Sequence, residues 1–208
     1  MIRRTDELRP PPDRRTPPNR GAVSLILVFV LIGSLVACSP DRNPIVPVYK
    51  EPLHRLVLDR PPVRVLDVQL QPGDTSRYHL HEDPIFYVAI DISEIDAQVL
   101  GEEWKRTRVS AWSPGGVAHD LGHAKKPLTH RIRNVGDEGF RLMAVTNSGF
   151  SGPFDGSEAD VELPGEIETD VEFFRQSRIT LMPGGDGARF RSRLPVIIVQ
   201  VSPGEAVL

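Results

Sequence analysis

In the stretch RVLDVQL (64–70), Val65, Asp67 and Gln69 alternate with Leu66, Val68 and Leu70. Side chains on a strand point to opposite faces with period 2, so this stretch has one apolar face and one mixed face. The turn PGD follows at 72–74, and SRYHLHEDPIFYVAIDI (76–92) reads as a strand interrupted at Pro84 and then resumed. AQVLG and TRVSAW read as further short strands, and SPGG (113–116) turns the chain again. THRIRNVGDEGFRLMAVTN (129–147) reads as strand, turn and strand, a hairpin. The 20 prolines and 17 glycines fit many turns and short strands rather than long helices. Strands at this spacing predict an all-β antiparallel sandwich or small barrel.

The beginning of the chain has a different composition. MIRRTDELRPPPDRRTPPNR is basic and proline-rich, and GAVSLILVFVLIGSLVAC after it is an apolar run ending in small residues. Together they read as the n-region and h-region of an export signal. The uncharged run is also about long enough to span a bilayer, so its ending decides between the two readings. LVAC (35–38) resembles the bacterial lipobox, where signal peptidase cuts before a cysteine whose thiol carries a diacylglycerol. Cys38 is the only cysteine, so it forms no intrachain disulfide. The resemblance implies a lipoprotein signal over 1–37 and a membrane anchor at Cys38. Ser39, which is not Asp, implies the outer membrane, with the protein facing the periplasm of a bacterial envelope. Residues 38–52 read as a Pro-rich polar tether, and 53–148 as the barrel. The net charge of −3, without a basic patch interleaved with aromatics, argues against nucleic acid as a partner.

One unit occurs twice. VRVLDVQLQPGDTSRYHLHEDPIFYVAI (63–90) aligns without a gap on FRQSRITLMPGGDGARFRSRLPVIIVQV (174–201). Pro72–Gly73 meets Pro183–Gly184 and Pro84 meets Pro195, and Val68, Leu70 and Ile85 meet Ile179, Leu181 and Val196. Residues 172–208 are therefore predicted to form a second, partial unit. It either completes the sheet of the first barrel or needs a partner chain, which makes a homodimer an expectation. The acidic, Gly/Pro-rich stretch 149–171 reads as a surface linker. Where the first copy has His79 and His81, the second has Phe190 and Ser192. The unit does not need histidine there to fold, which points to a separate role for the pair.

His79 and His81 share one strand face, about 7 Å apart along the chain, and their imidazoles can converge on one ion. A two-histidine site binds metal poorly, and His130 in HRIRN (130–134) is the best source of a third donor. The spacing PG-x5-HxH, followed later by HxxxN-x-G, resembles the two conserved motifs of the cupin superfamily. The similarity extends over about 95 residues, Leu53 to Asn147. It implies an antiparallel jelly-roll barrel holding one ion inside, with His79, His81 and His130 as ligands. The motif departs from the family in two places. The family's glutamate would fall at Ile85 or Phe86, and Glu82 has the wrong strand parity. The second motif also has another register, PGGVAH, which offers His119 as an accessory ligand and has His123 where the asparagine should be.

Three neutral imidazoles suit a divalent transition metal such as Fe, Zn, Ni or Mn. Without a carboxylate the ion keeps its full charge, which favours a small anionic ligand at the open positions. The functional expectation is thus a lipid-anchored envelope cupin that binds metal and a small anion. The alternatives are a metal-dependent cupin enzyme of dioxygenase or isomerase type, and a metal-free envelope interaction protein in which the histidines are polar residues at the barrel mouth. His54 reads as exposed, and Trp104 and Trp112 read as packing residues.

Overall fold

The computed structural model describes residues 44–149, 164–184 and 191–203. Cys38, the export signal and the start of the tether lie outside the described residues. Among the described residues no helix is long and apolar enough to cross a membrane.

The strands in chain order are β1 (Val46–Pro47), β2 (His54–Arg60), β3 (Val63–Leu70), β4 (His79–His81), β5 (Ile85–Asp91), β6 (Ile95–Val99), β7 (Lys105–Arg106), β8 (Val117–Asp120), β9 (Leu128–Asn134), β10 (Phe140–Asn147), β11 (Glu166–Val171) and β12 (Phe174–Arg178). One sheet has the order β1-β4-β9-β6-β7 and the other β2-β3-β10-β5-β8. From β3 to β10 the chain alternates between these sheets, with β6 and β7 together in the first. This crossing pattern makes a jelly roll. All pairs within the two sheets are antiparallel except β1 on β4.

The predicted alternation of β3 sets the core. Leu66, Val68 and Leu70 point inward with Ile85, Ile95, Phe140, Leu142 and Ala144. Asp67 points the other way, onto the outer face of the second sheet, and is still only 1% exposed. Arg55 at 2.8 Å and Arg141 at 2.8 Å hold its carboxylate there. Burial pushes its pKa up, but the two arginines and Gln69 outweigh this, so it lies below the usual aspartate range.

Four expectations are corrected. The fold begins before Leu53: β1 pairs with β4, and Val48 and Glu51 are buried at 6% and 3% exposure. TRVSAW forms a short 3-10 turn at Arg108–Ala111 rather than a strand. Strands β9 and β10 are not a hairpin: β9 pairs with β4 and β6, while β10 pairs with β3 and β5. The segment between them, 135–139, carries the chain from one sheet to the other. Asn134 holds this arch. Its Oδ1 accepts from Ser93 Oγ at 2.8 Å and Gly136 N at 3.1 Å, while its Nδ2 donates to Leu70 O at 3.1 Å and Glu138 O at 2.7 Å. Replacing Asn134 with alanine should cost at least about 2 kcal/mol, because it strands two buried partners, the Ser93 hydroxyl and the Leu70 carbonyl. A lower urea midpoint with an unchanged slope is the expected result.

The fourth correction concerns the C-terminal part. The stretch expected to be linker ends in β11, and β11 pairs with β12 in a separate two-stranded ribbon. Residues 194–201, which align with 83–90 of the first copy, form no strand. The second copy has Ser177 where the first buries Leu66, and its Ile179 and Leu181 are 44% and 54% exposed. Without the inward leucine, these two apolar side chains are left at the surface. The ribbon instead packs on the barrel of its own chain: Phe174 lies 5.5 Å from Phe86, and Arg178 Nη2 donates to Gly115 O at 2.8 Å. Val196, Ile197 and Ile198 lie across the outer face of the second sheet. With Val57, Val65, Ile90 and Met143 they line an open groove of about 380 Å³ that no histidine lines.

Candidate metal centre

Three imidazoles meet inside the barrel. The alternation of β4 turns His79 and His81 inward, where they are 1% and 3% exposed. Strand β9 places His130 directly across from His79 in the ladder. One ring nitrogen from each of the three lies within 4.8 Å of the others. His81 Nε2 and His130 Nε2 lie 3.0 Å apart, one donating to the other. His79 Nδ1 lies 3.0 Å from Arg77 O and donates to it, which leaves Nε2 of the neutral ring as a free donor of an electron pair.

His54 is not exposed, as its place in the sequence suggests. It is 4% exposed and packs edge-on against His79, ring centres 4.5 Å apart. It stands at the start of β2, opposite the inward-facing Val68, and this register is the signal that places it inside. Its Nδ1 lies 3.3 Å from Val48 O. His119 does not join the cluster. It is exposed on β8 and stacks on the outer-face residue Phe86. His123 does approach: it is 6% exposed, with its ring 5.1 Å from that of His81. It belongs to the short turn after β8, which carries it back over the barrel. Glu51, read from sequence as tether, is buried 3.8 Å from His54 Nε2. Trp104 packs against the guanidinium groups of Arg131 and Arg133, consistent with a packing role.

Burial keeps these rings uncharged. His79 is pushed down to about 4, with the Arg77 carbonyl acting weakly against the shift. His130 is pushed down to about 3, by burial and then by His79 and His123. His81 and His54 lie well below the ordinary histidine range, again through burial first and neighbouring imidazoles second. His123 is lowered less, because Asp120 opposes its burial. Near neutral pH the cluster is a set of neutral nitrogen donors, the form that binds metal.

The residues fit an ion. Donors at 90° around a metal at about 2.1 Å sit about 3.0 Å apart, which is the His81–His130 spacing. His81 Nδ1 is buried with no hydrogen-bond partner among the described residues. A carboxylate ligand is missing from the expected position: Ile85 is buried in the core, and Phe86 is covered on the outer face by Phe174.

No protein-family model matches the chain, and no curated protein matches it. Many of the solved structures it resembles are cupin domains. A cupin domain from Bordetella pertussis is 14% identical, covers 51% of this chain and 100% of its own, and superposes with a TM-score of 0.38. A conserved protein with a double-stranded β-helix domain from Klebsiella pneumoniae is 21% identical over 52% of this chain and 86% of its own, with a TM-score of 0.36. A Cupin 2 conserved barrel domain protein from Salinispora arenicola is 19% identical over 46% of this chain and 74% of its own, with a TM-score of 0.32. The jelly-roll architecture of this chain is shown by its own strand order.

Proposed function

We propose that this chain is a metal-binding cupin of the bacterial envelope, anchored through a lipid on Cys38. It holds one divalent transition metal through His79, His81 and His130 and presents the ion to a small anionic ligand. The observation that carries this reading is the convergence of three neutral ring nitrogens within 4.8 Å in the barrel interior. Three imidazoles fill at most three positions of a tetrahedral or octahedral ion and leave its charge uncompensated. An anion is the natural occupant of what remains. Among the described residues no carboxylate joins the three donors. This favours ligand binding over the chemistry of a three-histidine, one-glutamate centre.

The bound ion would supply Lewis acidity at its open positions, and the protein would supply a buried, uncharged surround. The lipobox resemblance at LVAC (35–38) supports the anchor. The test is elemental analysis of full-length protein purified without chelator, with a His79→Ala/His81→Ala double variant alongside. Close to one equivalent of metal in the wild type, and almost none in the variant, is the expected result. Equal metal content in both would refute the site.

A further inference from the structure

Glu51 is a buried carboxylate contributed by the segment that precedes β2, and its side chain is only 1% exposed. Its Oε2 accepts from Leu53 N at 2.6 Å and its Oε1 from Arg77 N at 3.1 Å. Arg77 is the residue whose carbonyl takes the Nδ1 proton of His79, at 3.0 Å. Strand β1 runs alongside, pairing Val46 with His79 and donating Val46 N to Tyr78 O at 3.1 Å. Val48 O holds Nδ1 of His54 in the same manner. The strap 46–54 thus grips the approach to β4 at several points, and its only buried acid reaches the one residue that sets the protonated nitrogen of His79.

We propose that Glu51 is a positioning residue: by clamping Arg77 it holds His79 as the Nδ1–H tautomer, with Nε2 turned toward His81 and His130. A group that only packed the strap against the barrel would not need to be an acid. Burying a carboxylate costs free energy that an apolar side chain avoids, and burial does raise the pKa of Glu51. What the acid adds is two acceptor oxygens that bind two backbone N–H groups together. Partners behind a ligating histidine fix its tautomer and its aim, and their loss typically weakens metal binding about 10–100-fold. The consequence for metal rests on the three-histidine reading above, whereas the consequence for the tautomer does not.

The test uses the full-length chain labelled with 15N. Long-range 1H–15N correlations report which ring nitrogen of each histidine carries the proton, and a Co(II) titration followed by visible absorption reports affinity. E51A is expected to give a mixture of His79 tautomers and a Co(II) Kd raised about 10–100-fold. E51Q keeps one acceptor oxygen and should fall between E51A and wild type on both readouts. If E51A does not fold, E51Q carries the same two readouts. D67N perturbs the other deeply buried carboxylate, on the outer face of the second sheet, and should lower the Tm while leaving His79 and the Co(II) Kd unchanged. An unaltered His79 tautomer in the folded Glu51 variants would overturn the proposal, as would a Kd change equally large in D67N. A tautomer shift in a protein that never binds Co(II) would uphold the positioning role and refute the metal reading alone.

Discussion

A full-length His130→Ala variant is expected to lose the metal proposed for the wild-type chain, with affinity falling by more than about 100-fold. Loss of a partner behind a ligand already costs about 10–100-fold, and loss of a donor removes a coordination bond outright. His79 and His81 alone come from one three-residue strand, and His130 brings a ring nitrogen to 3.0 Å from His81 Nε2. The backbone ladder of β9 to β4 and β6 does not depend on the side chain, so the barrel should survive. Far-UV circular dichroism checks this while elemental analysis reads the metal. His119→Ala is the internal control, because His119 is exposed and stacks on Phe86 outside the barrel. Its metal content should match the wild type. A His130→Ala protein that keeps a full equivalent would place the metal elsewhere.

The residues legible in the sequence are those whose position follows from local periodicity. His79 and His81 face inward because β4 alternates, and β3 buries Leu66, Val68 and Leu70 for the same reason. The residues that were not legible depend on which sheet a strand joins. The turn VGDEG between two apolar stretches reads as a hairpin, yet it spans from one sheet to the other, and only the saturated hydrogen bonds of Asn134 account for it. His54 and Glu51 were hidden by the prolines around them. The strap looks like a tether, but its backbone pairs with β4, and Glu51 and His54 are buried. His119 lies on β8 and His123 on the turn four residues later, and the geometry of that turn decides which one goes inside. The internal repeat is real as a pattern of proline, glycine and apolar residues. Among the described residues the second copy contributes only β12 to a two-stranded ribbon, and it has Ser177 where Leu66 anchors the first copy.

Stability of the metal-free protein should fall steeply as the pH drops below about 6.5. The folded-state values of His79 and His130 are about 4 and about 3, against an ordinary value of 6.5. Between these limits the unfolded chain binds more protons than the folded one, so each proton taken up favours unfolding. The stabilising contribution is complete above the unfolded value and is lost as pH falls toward the folded one. For His79 alone the full loss is about 3 kcal/mol, at about 1.4 kcal/mol per pH unit. That is a large share of the roughly 5–15 kcal/mol by which a domain is usually stable. Asp67 and Asp96, also lowered, act in the same direction but only below the ordinary aspartate range, so they do not account for a decline that starts near neutrality. Glu51 acts in the opposite direction, since its raised value favours the folded state as it takes up a proton, and this offsets part of the loss. Urea midpoints measured from about pH 7.5 down to about pH 4.5 test the balance, and a flat profile would mean that the imidazoles are hydrated and not buried together. Added Zn(II) should move the decline to lower pH, because an ion on the three rings must be displaced before they can be protonated.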